Sequence, residues 1–127
     1  MTKVPILKHK LRLIPKSFSW IDHRLVRDRH MEKMSHAAAS LYLFLVCVSD
    51  AQGLSYYGDA AVMRNISMMP DTFNSARNEL IHLGLIAWKK PLYQVLDLTP
   101  DEPAAPRTGG KPMGLGDIMK KAMEGRP

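Results

Sequence analysis

Hydrophobic and polar positions divide the chain into stretches of different period. From residue 37 to residue 48 nearly every position is apolar, with only Ser40 interrupting. Ser35 stands ahead of this run as an N-cap, and Asp50-Ala51-Gln52-Gly53 follows it, with Gly53 suited to a left-handed helix end. The pattern predicts a helix over residues 36–50, apolar on nearly every side and therefore central to the fold. Residues 54–57 form a short β-prone stretch, and Gly58-Asp59 opens a second helix that runs to about Ile66. Pro70 sits where a first helical residue belongs and Asp71 falls in the positive first turn, so a third helix begins there. Its apolar positions Phe73, Ala76, Leu80, Ile81 and Leu83 recur at helical spacing, and Gly84 stops it. Residues 85–88 and 92–98 are β-prone runs separated by Lys89-Lys90-Pro91, which reads as a hairpin with a cationic tip.

The flanks lack such patterning. Residues 1–17 hold Pro5, Pro15 and alternating cationic and apolar positions, an extended arm. Residues 18–34 fit a helix over about 21–33, with Ile21, Leu25 and Met31 toward one side, or a strand over 18–26 followed by a turn; the capacity of Asp22, Arg24, Arg27, Asp28 and Glu32 to pair on a solvent face favours the helix. After Leu98, four prolines and three glycines make residues 99–114 a linker. Residues 115–124 follow as a short amphipathic helix whose stripe, Leu115, Ile118, Met119, Ala122 and Met123, offers itself to a partner's groove, to its own domain or to a second copy. The compact part is thus residues 18–98, with Leu41, Phe44, Leu45, Val48, Ile66, Phe73, Leu80, Leu83 and Ile86 as its expected core.

A chain of 127 residues, 46% hydrophobic and 24% charged, is one ordinary domain. The longest apolar run is too short to span a bilayer, the basic N-terminal stretch has no apolar core of a secretory signal, and a lone cysteine precludes an intramolecular disulfide framework. A cytoplasmic location is expected. The net charge of +6 is unevenly placed: residues 1–34 carry nine Lys and Arg against three acidic groups, whereas residues 35–98 carry four against five. A polyanion is the natural partner of such a segment, through release of counterions from neutralised phosphates. The arm's charge alone does not distinguish DNA from RNA.

The order of helix, short strand, helix, helix and hairpin resembles the winged helix-turn-helix family of DNA-binding domains, mainly α with a small antiparallel β-hairpin. The resemblance covers about residues 35–98 and rests on Ala60-Ala61-Val62-Met63-Arg64-Asn65-Ile66, on Thr72-Phe73, and on Leu80-Ile81-His82-Leu83-Gly84-Leu85-Ile86. The run Ser35-His36-Ala37-Ala38 leading into Leu41-Tyr42-Leu43-Phe44-Leu45 is similar to members of replication-initiator and mobile-element type. The family departs from this chain at two places: Ser67 stands where the turn usually has glycine, and Met69 where the third helix usually has a Ser or Thr cap. The resemblance implies that Ile66 and Phe73 pack the two helices steeply, that the third helix enters the major groove, and that Thr72, Asn74, Ser75, Arg77 and Asn78 face the DNA. Arg suits guanine and Asn suits adenine as bidentate partners. Lys89 and Lys90 at the wing tip, with Lys8, Lys10, Arg12 and Lys16 of the arm, would meet phosphates. The function expected is duplex DNA binding in a regulatory or replication-type role; a protein-interaction adaptor is the competing reading, since only Arg77 is cationic on the third helix and Asp71 and Glu79 offset it.

Other chemistry is weakly signalled. Cys47 lies within the apolar run and is expected to be a buried, inert thiol. His23 and His30 stand near Arg24 and Arg27, which oppose a cation, so no metal is expected, and neither is any cofactor. There is no phosphate-binding glycine loop and no nucleophile elbow, and the carboxylates are scattered singly, so no enzymatic activity is expected. Tyr56, Tyr57, Trp88 and Tyr93 are expected to pack between hairpin and helices.

Overall fold

The computed structural model describes residues 2–100. Within the described residues four helices and one small sheet make up the mixed α+β architecture: α1 (Arg24–Arg27), α2 (His36–Val48), β1 (Leu54–Tyr56), α3 (Asp59–Ile66), α4 (Pro70–His82), β2 (Ile86–Lys89) and β3 (Leu92–Val95). The hairpin β2–β3 gains β1 as a third strand, antiparallel to β3, so the sheet order is β1-β3-β2.

Helix α2 begins where Ser35 predicts, its hydroxyl accepting the Ala38 N–H at 3.0 Å. The exit is a loop closed by Asp50, whose carboxylate accepts the backbone N–H groups of Gln52 and Leu54 at 2.8 and 3.0 Å. Gly53 then takes φ +85°, and a Cβ there would lie 2.7 Å from the Val95 carbonyl oxygen. This close approach admits β1 to the sheet, with the Val95 N–H donating to the Gly53 carbonyl at 2.8 Å. At the end of α4, Gly84 adopts φ +77° and the Leu85 N–H reaches back to the Leu80 carbonyl, a six-to-one closure that only a left-handed residue permits.

The core forms where α2, α4 and the sheet meet. Leu41, Leu45, Phe73 and Leu80 are fully enclosed and Ile86 nearly so, as expected; Phe44, Ile66 and Leu83 pack at its margin. Val48, also expected inside, is only partly buried. Tyr93, Val62 and Leu85 supply much of the interior instead.

Two further expectations are corrected. The helix over residues 21–33 is reduced to the single turn of α1 and a 3-10 turn at Met31–Lys33, because Arg29 between them takes a left-handed φ of 62°. The stretch is held by local polar contacts: Asp22 accepts the Arg24 N–H and grips its guanidinium at 2.7 Å, while Leu25 is its buried anchor. Cys47 is exposed rather than buried, because α2 is covered on one side by α4 and the sheet and turns Leu43 and Cys47 outward. The arm is irregular apart from a 3-10 turn at Lys8–Lys10, and residues 2–20 are exposed throughout.

Candidate nucleic-acid interface

Helix α4 follows α3 through a turn in which Ser67, not glycine, takes the left-handed conformation at φ 52°, with the Met68 N–H closing onto the Met63 carbonyl at 3.0 Å. Met69 occupies the N-cap position with extended backbone and no side-chain bond, and Pro70 follows as the first helical residue. Pre-set φ at Pro70 and the missing proline N–H lower the demand for a cap. The helix buries Phe73, Ala76, Arg77 and Leu80, at i, i+3, i+4 and i+7. Thr72, Asn74, Ser75 and Asn78 lie exposed on the remaining face, as expected.

Arg77 does not. Its side chain is only 6% exposed and three of its N–H donors bond inside the protein, at 2.8 Å on Asp59, 2.9 Å on the Tyr93 hydroxyl and 2.9 Å on the Asn74 side-chain amide oxygen. The guanidinium lies 3.6 Å from the Trp88 ring centroid and 4.6 Å from that of Phe73. The expectation of an outward, base-reading Arg77 is therefore withdrawn: the residue sits on the apolar stripe of α4 and joins it to α3 through Asp59 and to the hairpin through Tyr93 and Trp88. Burial pulls its pKa down, and the bonds to Asp59 and Tyr93 outweigh that, leaving it above the usual value. Burial pushes the Tyr93 phenol up, against the pull of Arg77.

The cluster also limits Asn74. Its amide oxygen is held toward Arg77 and has one of its two acceptor sites taken, whereas Asn78 makes no side-chain bond among the described residues and keeps both amide functions unengaged. Glu79 is engaged as well, its carboxylate accepting the Ser35 N–H at the start of α2.

The hairpin carries Lys89 and Lys90 exposed at its tip, beside the cis Lys90–Pro91 peptide. Tyr56, opposite Leu92 on β1, is 72% exposed near that tip. Its placement corrects the expectation of packing, while Tyr57 and Tyr93 do pack, Tyr57 edge-on against Phe44. Simple strand alternation from the buried Ser55 identifies Tyr56 as outward. Arg64, exposed on α3, is a cation absent from the expected set.

Lys8, Lys10, Arg12 and Lys16 are all exposed on the arm. The arm joins the body at residues 18–22, beside the end of β3 away from the hairpin tip. At about 3.3 Å per residue an arm of this length spans roughly 50 Å, enough to pass around the domain. The stripe of Leu115, Ile118, Met119, Ala122 and Met123 lies outside the described residues. Among the described residues there is no group of three or more His, Cys, Asp or Glu placed to hold a metal, and no helix long and apolar enough to cross a membrane.

A comparison of the chain with protein-family models finds no match, and searches of curated proteins and of solved structures likewise find none. Fold and surface chemistry thus stand on the chain's own residues.

Proposed function

We propose that this chain is a winged helix-turn-helix protein that binds duplex DNA without catalysis, in a regulatory, replication or mobile-element role. The observation that carries the reading is the outward face of α4: Thr72, Asn74, Ser75 and Asn78 are short, polar and exposed on a helix anchored by Arg77 to both α3 and the hairpin. A rigid polar helix face beside a cationic hairpin tip suits major-groove entry with the wing on the backbone. The sheet order β1-β3-β2, with α3 and α4 between β1 and β2, supports the same architecture.

Because the buried guanidinium is matched by Asp59, the face of α4 brings little net charge. Affinity then depends on the arm and on Lys89 and Lys90. Fluorescence anisotropy with a random duplex pool at several salt concentrations tests this. Each lost phosphate contact reduces the slope of log K against log salt by about 0.9. Replacing Lys8, Lys10, Arg12 and Lys16 by Gln is expected to flatten it by about 3 to 4. Absence of salt-dependent binding to any duplex overturns the proposal. A second reading, an adaptor for other proteins, is favoured by one observation: Ile6, Leu13 and Ile14 on the arm are 96%, 84% and 80% exposed.

A further inference from the structure

Isolated exposed apolar side chains are common, but the arm holds six large ones, Val4, Ile6, Leu7, Leu11, Leu13 and Ile14, in eleven residues, all more than half exposed. At the arm's root the body has an open groove of about 550 Å3 between residues 18–22, the end of α2 and the end of β3. Phe18, Trp20, Ile21, Val46, Val95 and Leu98 give it apolar walls. Asp22, Asp50 and Asp97 are its charged lining groups, and neither lysine nor arginine lines it. Arg24 pairs with two of these carboxylates, 2.7 Å from Asp22 and 3.5 Å from Asp97, while Asp50 accepts backbone N–H groups only, so three carboxylates stand against one guanidinium. A shallower depression sharing Phe18, Ile21 and Val46 extends the surface to the exposed Cys47.

An apolar groove with an acidic rim calls for an apolar segment bearing cations. The arm is such a segment: Leu11, Leu13 and Ile14 are interleaved with Arg12 and flanked by Lys10 and Lys16, and residues 1–17 contain no acidic group. In its own chain the arm bends at Lys16 and Ser17, none of residues 2–17 lines the groove, and its apolar side chains stay in solvent. We propose that two copies of this chain exchange arms, with Leu11, Leu13 and Ile14 of each copy seated in the groove of the other. The arrangement is reciprocal, so it closes as a two-fold dimer and does not propagate. Both surfaces, uncovered among the described residues, are covered by the same contact. Pro15 stiffens the hinge and the exchange is a matter of where an already extended arm lies, so the body need not refold. In the absence of nucleic acid Lys10, Arg12 and Lys16 then lie at the neighbour's acidic rim, where duplex phosphates compete with the carboxylates for them, and two arms and two α4 helices share one particle.

The test is made on the full chain without nucleic acid, so its outcome is separate from that of the DNA reading. Sedimentation equilibrium is expected to show a mass moving from 14.3 kDa toward twice that value as concentration rises into the range of about 0.1 mM. In a mixture of isotope-labelled and unlabelled chains, filtered NOE spectra are expected to connect the Leu13 and Ile14 methyls of one chain with Trp20 and Val46 protons of another. The double variant L13D/I14D is expected to be monomeric and, at dilutions where the parent is also a monomer, to have an unchanged thermal melt, because both side chains are in solvent in the single chain. A mass of 14.3 kDa at every concentration overturns the proposal. So do NOEs confined within one chain, which place the arm in its own groove, or a dimer that survives L13D/I14D.

Discussion

Replacing Arg77 by Ala separates a residue that holds the fold from one that reads a base. The substitution removes three hydrogen bonds from a charged donor, to Asp59, Tyr93 and Asn74. Such bonds contribute about 1.5–3 kcal/mol each, but not additively. Asp59 is 39% exposed, so its carboxylate rehydrates and recovers much of what it loses. The Tyr93 hydroxyl does not: the residue is fully enclosed, and an unpaired buried hydroxyl costs about 1–3 kcal/mol. Loss of the stack on Trp88 adds about 0.5–2 kcal/mol. The expected destabilisation is about 3–5 kcal/mol, a large part of the roughly 5–15 kcal/mol available to a domain. Arg77→Met, which keeps an unbranched apolar chain between Phe73 and Trp88, is expected to cost about half as much. Urea unfolding followed by tryptophan fluorescence and far-UV circular dichroism gives both values. Tyr93→Phe in the Arg77→Ala background is expected to restore part of the loss, since it removes the stranded hydroxyl. An Arg77→Ala chain within about 0.5 kcal/mol of the parent, at equal m, refutes the account of Arg77 as a buried tie.

Leu45→Ala and Leu80→Ala, at fully buried positions, are each expected to lower stability by about 2–5 kcal/mol in the same urea titration. Ser67→Gly is expected to raise stability by about 0.5–1 kcal/mol, measured as a rise in Tm, because relief of the left-handed Ser exceeds the greater freedom of glycine in the unfolded chain. Arg24 holds the Asp22 carboxyl down to about 2 from its ordinary 3.8, so its contribution to stability is fully present above about pH 4 and is lost progressively as pH falls through 2. Thermal melts of the parent and Asp22→Asn are therefore expected to differ most above pH 4 and to draw together as pH falls through 2; a constant difference across that window would show that the pair does not titrate as described.

Signals carried by a few neighbouring residues were legible in the chain. Ser35 caps α2, Pro70 begins α4 and Gly84 takes the left-handed conformation that ends it; Gly53 is left-handed too, but in the loop to β1 rather than at the helix end, since α2 stops at Val48 and not at Asp50. Arg77 was misread for a different reason. Its place between Phe73 and Leu80, next to Ala76, puts it on the buried stripe by helical period alone, yet its charge argued for solvent. The partners that reverse that preference, Asp59 and Tyr93, lie 18 and 16 residues away and are supplied by tertiary structure. The uniformly apolar α2 invited the opposite error: the described body has α4 and the sheet to cover it on one side, so Leu43 and Cys47 face outward. Between residues 21 and 33, no period marks a helix end, and the left-handed Arg29 has no glycine or asparagine to announce it.

Burying the cation of α4 divides the proposed labour of binding. A face of Thr72, Asn74, Ser75 and Asn78 contributes direction-dependent hydrogen bonds and almost no counterion release, whereas the arm and the hairpin tip contribute charge and no base code. Arg77 narrows the face further by holding the Asn74 oxygen, which leaves Asn78 as the amide on this face with both functions free for adenine N6 and N7. Asn78→Ala is therefore expected to cost about 1–3 kcal/mol on a preferred duplex while changing neither the salt slope nor affinity for random duplex. Neutralising the four arm cations is expected to do the reverse, flattening the slope and leaving the ratio of preferred to random binding in place. Selection of a preferred duplex from a random pool, followed by anisotropy titrations of both variants against both duplexes, yields the four comparisons. Were Asn78→Ala to weaken both duplexes equally, α4 would be acting as a backbone-contacting element and the division of labour would fail.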